Sequence, residues 1–237
     1  MASFVLVHGG WHGAWCWERL VSELEARGHR ATAMDLPIED PSATFETYAG
    51  VVAASMQPDP GGEVILVGHS YGGQTIPLVP GRGRRIDALV YLCAMPPIPG
   101  LNFVDQLRSE RTMLNREHVG GLEPPTPDGV RGWSDPELAR HFMYADCDDQ
   151  EAAWAIERLR PMAPPTSDPC TLDDYPDLPT HYVVCDEDRL INPVWSRQFA
   201  RERLGANIIE LPGSHSPFLS RPGHLATVLE DVLATNV

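Results

Sequence analysis

A serine with glycines two positions away on each side, Gly68-His69-Ser70-Tyr71-Gly72, follows directly on the apolar run Val64-Ile65-Leu66-Val67. The pattern predicts a buried strand that ends in a sharp turn with Ser70 at its apex. Such a turn strains the serine backbone and crowds the residues two positions away. Gly68 and Gly72 have no Cβ to clash there. The turn lifts the Ser70 hydroxyl within reach of a base. It also leaves the Tyr71 N–H at a helix start, aimed where negative charge would develop. The chemistry implied is nucleophilic attack, and it needs partners that a five-residue motif does not supply.

A serine hydroxyl is a poor nucleophile until a base takes its proton. Of nine histidines, His215 follows an apolar run in a Gly213-Ser214-His215-Ser216 turn, the position of a site at the carboxyl end of a strand. His224 falls inside a helix pattern, and His29, His118, His141 and His181 sit at strand starts or in an inserted segment. His69 adjoins the serine but points away if Ser70 is at the apex. A base needs an acid to fix its tautomer. The run ending at Cys185 is followed by Asp186-Glu187-Asp188. Asp188, a little past the strand end, is the expected partner and Asp186 the alternative. The order Ser70, Asp188, His215 is one in which such triads occur. Near the N-terminus, His8-Gly9-Gly10-Trp11-His12-Gly13 offers bare backbone amides. The Gly10 and Tyr71 N–H groups would form an oxyanion hole. His12 reads as a structural histidine. Gly9 and Trp11, with Phe103, Phe142 and Trp154, are the expected pocket residues.

The elements that must position these groups are short apolar runs at 3–7, 30–34, 63–67, 88–93, 181–185 and 208–211. They alternate with helical patterns at 15–27, 44–56, 74–79, 194–204 and 222–234. This alternation predicts an α/β fold, a mostly parallel, doubly wound sheet of about six strands. Residues 96–179 break it. Flanked by proline-rich stretches, they read as helices at about 103–115, 136–144 and 149–160. They form a helical cap after the fourth strand, with 1–95 and 180–237 as the core.

The chain has 237 residues and a net charge of −15. That size suits one sizeable core with a small lobe. That charge argues against nucleic acid or an anionic membrane as partner. The sequence shows no signal peptide and no apolar run long enough to span a bilayer. The five cysteines are scattered, with no C-x-x-C or Cys/His metal spacing, and read as reduced thiols of a cytoplasmic protein.

Four motifs, at 7–17, 67–73, 185–189 and 213–218, resemble the α/β-hydrolase superfamily. Within it they resemble the subfamily of plant methylesterases, hydroxynitrile lyases and their bacterial esterase relatives. The likeness runs along nearly the whole chain. It implies a serine carboxylesterase without metal or cofactor, acting on a small, fairly apolar ester through an acyl-serine. It leaves a homodimer open. Similar hydroxynitrile lyases carry threonine and lysine where this chain has Gly9 and Ser216. The lysine assists cyanide departure, so its replacement favours ester hydrolysis. A lyase or cofactor-free tailoring enzyme using His215 as base, and a ligand-binding pseudo-hydrolase, are the alternatives.

Overall fold

The computed structural model describes residues 1–57, 61–164 and 167–235. Six strands, β1 (Ala2–Val7), β2 (Arg30–Ala33), β3 (Glu63–His69), β4 (Ala88–Leu92), β5 (Thr180–Cys185) and β6 (Asn207–Leu211), form one sheet. Its order is β2-β1-β3-β4-β5-β6, and every neighbouring pair is parallel. Every residue of β4 is buried, and all of β3 after Glu63. Unbroken apolar runs of this kind mark strands covered on both faces. The edge strand β2 is more open, as its polar sequence requires.

Eight α-helices accompany the strands among the described residues: α1 (Glu18–Ala26), α2 (Phe45–Ser55), α3 (Phe103–Ser109), α4 (Pro136–Met143), α5 (Asp149–Ile156), α6 (Pro193–Phe199), α7 (Pro217–Ser220) and α8 (Pro222–Thr235). Local chemistry sets their ends. Thr44 caps α2 in a reciprocal capping box with Thr47. Gly28, at φ +82°, follows α1 and donates to the Glu25 carbonyl. The helix expected at 74–79 is instead two short 3-10 turns, Ser70–Gln74 and Ile76–Leu78. Gly72 and Gly73 disfavour a long helix there, and Pro77 brings no N–H to it. The expected helix at 103–115 stops at Ser109, and that at 149–160 stops at Ile156. α6 continues as a π-helical turn, Ala200–Leu204, ended by Gly205 at φ +59°.

Between β4 and β5 the described residues contribute no strand to the sheet. Residues 165 and 166 of this stretch lie outside the described residues. Its order comes from α3–α5, a 3-10 helix at Arg116–Gly121, and isolated antiparallel bridges Leu122–Trp133 and Arg131–Met162. Among the described residues no helix is long and apolar enough to cross a membrane.

Candidate active site

β3 delivers Ser70 to the carboxyl edge of the sheet. Ser70 has φ +51°, a left-handed conformation uncommon for a residue with a side chain. The turn is clamped from both sides. The Ser70 carbonyl accepts the Met95 N–H at 3.0 Å, just beyond β4. On the other side, a Cβ on Gly72 would come within 2.7 Å of the His8 carbonyl oxygen and 2.8 Å of that of Val7. Only glycine lets the turn close onto the end of β1.

β5 and β6 deliver Asp188 and His215, the residues expected as acid and base. His215 is wholly buried, and its Nδ1 lies 2.7 Å from Asp188 Oδ2. A carboxylate only accepts, so Nδ1 carries the proton and Nε2 the lone pair. Asp188 is held in turn: its Oδ1 accepts the Leu190 and Ile191 N–H groups at 2.8 and 2.9 Å. Asp186 turns elsewhere, accepting the Gly213 N–H at 3.1 Å, and helps shape the loop that carries His215. His215 Nε2 is buried and has no hydrogen-bond partner among the described residues. The His215 ring packs 4.6 Å, centroid to centroid, from that of His69, the residue preceding Ser70. His69 Nε2–H donates to the His215 carbonyl at 2.9 Å, so His69 holds the turn that carries His215.

Two more buried histidines shape the loop after β1. His8 Nδ1–H donates to the Gly9 carbonyl at 2.8 Å, while Nε2 accepts the Leu36 N–H at 2.9 Å. A peptide unit is planar and trans, so anchoring the Gly9 carbonyl turns the Gly10 N–H to the opposite side. His12 repeats the device one residue on. It donates from Nδ1 to the Gly10 carbonyl at 3.1 Å and accepts the Tyr144 hydroxyl proton on Nε2 at 2.8 Å. Burial holds both neutral. His8 is lowered to about 4, chiefly by desolvation, against its hydrogen bond to Gly9. His12 is lowered to about 3 by desolvation, with His8 and His215 adding. A Cβ on Gly10 would lie 3.9 Å from Tyr71 Cβ, so the two backbones expected to hold an oxyanion are adjacent. A Cβ on Gly9 would come within 2.8 Å of Ser70 Cβ and 2.9 Å of His69 Nδ1. A threonine has no room at Gly9.

Beside the loop lies a mostly apolar cavity of about 490 Å³, a volume that suits a small organic ligand. Trp11, Phe103, Leu114 and Met162 form much of its wall. Met162 joins it to the serine side, because its Sδ is 2.8 Å from where a Cβ on Gly10 would stand. Three expected pocket residues, Gly9, Phe142 and Trp154, are absent from this wall. Phe142 is buried against His118 and His141. Trp154 packs on Trp15, and Arg158 covers its other contact surface. The helix pattern identified both as apolar but not the direction each faces. Gly9 adjoins Ser70 and does not line this cavity.

The alpha/beta hydrolase family description matches residues 4–226. The chain belongs to the alpha/beta hydrolase family. It is 31% identical over 263 residues to norfluorocurarine synthase 2 of Strychnos sp., across 97% of this chain and 94% of that protein. It is 30% identical over 243 residues to a carbendazim hydrolyzing esterase of Nocardioides sp., across 97% and 98% of the two chains. The crystal structure of polyneuridine aldehyde esterase superposes with a TM-score of 0.82 at 25% identity, covering 98% of this chain and 99% of that one.

Within this alpha/beta hydrolase, sequence reasoning missed His8 as the anchor of Gly9, and Met162 and His118 as cavity residues. His8 carried a signal, since a histidine before Gly-Gly at a strand end has loop carbonyls in reach. Met162 carried none. It stands beside Gly10 because a bridge to Arg131 folds the segment back. Among the described residues no group of three or more His, Cys, Asp or Glu could hold a metal ion.

Proposed function

We propose that this chain is a serine carboxylesterase in which Ser70 is the nucleophile, His215 the general base and acid, and Asp188 the group that orients His215. The observation that carries the reading is the buried His215 Nε2, which has no hydrogen-bond partner among the described residues while Nδ1–H is committed to Asp188. A lone pair held this way, on a ring packed against the residue that precedes a strained serine, is suited to accept one proton. His215 takes the Ser70 proton as Oγ bonds to the ester carbonyl carbon. The oxygen gains negative charge opposite the Gly10 and Tyr71 N–H groups. The intermediate collapses, the C–O bond to the alcohol breaks, and His215 gives its proton to the departing alkoxide. Water then attacks the acyl-serine, giving its proton to His215, which returns it to Ser70 as the acid leaves.

The esterases among the relatives agree with this reading. Cyanide release has no support, because all 18 basic side chains are arginine and position 216 is serine. The substrate is a small ester with much of its body against apolar wall.

The test is a panel of methyl, aryl and lactone esters given to wild type and Ser70→Ala, with a phosphonate probe and intact-mass readout. The variant should lose about 10⁴-fold or more in kcat and should not be labelled by the probe. Full turnover by Ser70→Ala would overturn the mechanism.

A further inference from the structure

Carboxylates outnumber arginines 33 to 18 in this chain, yet the cavity beside Gly10 is lined by Arg108, Arg116, Arg131 and His118 and by no Asp or Glu. Many arginines elsewhere are paired with carboxylates, as Arg27 is with Glu230 and Arg160 with Glu39. Arg108 is also paired, with Asp105 at 2.8 Å. The other two differ. Arg116 Nη2 donates to the Leu107 carbonyl at 2.8 Å, and Arg131 Nε donates to the Glu123 carbonyl at 2.7 Å. Neither reaches a carboxylate among the described residues. Carbonyls orient these guanidinium groups without neutralising them, so charge and spare donors remain at the cavity wall.

Their position relative to the serine follows from the backbone. Arg131 and Met162 exchange both backbone hydrogen bonds at 2.9 Å, and the Arg131 carbonyl accepts the Trp11 indole N–H at 3.3 Å. Met162 and Trp11 both adjoin Gly10. A ligand whose carbonyl sits at Gly10 and whose body runs past Met162 therefore meets the Arg131 side of the cavity. His118, which also lines the cavity, is buried and donates Nδ1–H to the Asn115 carbonyl at 2.6 Å. Its pKa is lowered by desolvation first, against that hydrogen bond, and Arg131 lowers it further.

We propose that the cavity takes esters bearing a second, anionic group, a carboxylate at the far end from the scissile bond, received by Arg116 and Arg131. This deepens the esterase reading and rests on it for turnover. A chain of net charge −15 repels a free anion over most of its surface. A wall that presents Arg116 and Arg131 on carbonyls, with no carboxylate among its described lining residues, is a local departure from that charge. The planar guanidinium fork matches a carboxylate bidentately, and the surrounding apolar wall strengthens the attraction.

The test compares the monomethyl esters of succinic, glutaric and adipic acid with their dimethyl counterparts, which have the same skeleton without the charge. Wild type should favour the monomethyl series in kcat/KM. Arg116→Gln/Arg131→Gln should lose about 10- to 100-fold on that series, mainly through KM, and stay within about threefold on the dimethyl series. Arg201→Gln, which changes net charge once on an exposed turn, should move neither. Thermal unfolding checks that the double variant folds; the two single variants substitute for it if it does not. Calorimetric binding of monomethyl and dimethyl adipate to Ser70→Ala gives a readout without turnover. Preference for the neutral series, or equal losses on both series, overturns the anion site and leaves the esterase standing. Selective binding of the monoester without turnover of any ester supports the site and overturns the esterase. Absence of both selective binding and selective turnover overturns the site.

Discussion

The strand ends and the segment between β4 and β5 meet beside Ser70, and they hold polar groups in different ways. At the strand ends, the hydrogen bonds of buried side chains fix one another. Asp188 accepts from two backbone amides and His215, and His8 and His12 each use both ring nitrogens. In the inserted segment, order comes from short helices and two isolated bridges, and the cavity arginines lean on carbonyls from their own stretch of chain. The first arrangement fixes atoms to the accuracy a proton transfer needs. The second fixes the character of a wall while its side chains keep freedom to fit a ligand.

Breaking the strand-end network should have the largest effect. Asp188→Asn keeps an acceptor for Leu190 and Ile191 but presents an amide donor to His215, which favours the wrong tautomer. Turnover should fall about 10⁴-fold with little change in KM, read by steady-state kinetics. A loss under tenfold would mean that His215 is oriented by something else. The inserted segment offers no single residue whose loss should match this.

Acid should separate the regions next. His8 titrates at about 4 in the folded chain and near ~6.5 when unfolded, so between these values the unfolded chain binds the extra proton. Stability is complete above about pH 6.5 and falls as pH drops towards about 4. His8 alone accounts for about 3 kcal/mol at the lower end, and His12 adds in the same direction. Urea unfolding across this range measures the slope. It should flatten in His12→Gln and stay unchanged in Arg116→Gln, because arginine does not titrate there. An equal slope in His12→Gln would remove His12 from this account.

The smallest effect sharpens the comparison inside the segment. Phe103 is the common wall of the 490 Å³ cavity and a second one of about 220 Å³, packed 5.2 Å from the Tyr71 ring. Phe103→Ala should join the two spaces and shift kcat/KM towards bulkier esters by about three- to tenfold, one or two methylenes' worth of apolar contact. Trp154→Ala should leave the ratio of bulky to small esters unchanged. A matching shift in Trp154→Ala would show that the wall acts through general loosening.

Much of this contrast was legible in the residues themselves. The inner strands could be read because they are largely apolar runs bounded by turn residues, and parallel burial leaves no polar alternation to confuse them. Ser70, Asp188 and His215 could be singled out because strand ends are where such a sheet exposes chemistry. The structure brings Asp188 and His215 together at 2.7 Å. Phe142 and Trp154 mark where legibility ended. A short helix has an apolar stripe, but its rotation about its axis is set by neighbours distant in sequence. Met162 and Arg131 were out of reach for the same reason: their bridge joins residues that no local pattern links. The 74–79 pattern misled because glycine and proline weaken a helix without abolishing its periodicity.

The sheet register has a consequence for how the protein is made. β1, β3 and β4, which cradle Ser70, come from the first 92 residues, whereas β4 pairs Leu89 with Thr180 across the whole inserted segment. A ribosome therefore releases the serine turn long before it releases the aspartate and the histidine. Closing so long a loop costs entropy that only the later strands repay. A chain cut short anywhere before β5 has Ser70 but neither Asp188 nor His215, the proposed partners. On the proposed roles, incomplete copies are chemically silent, and hydrolysis begins only when the last quarter of the chain has joined the sheet.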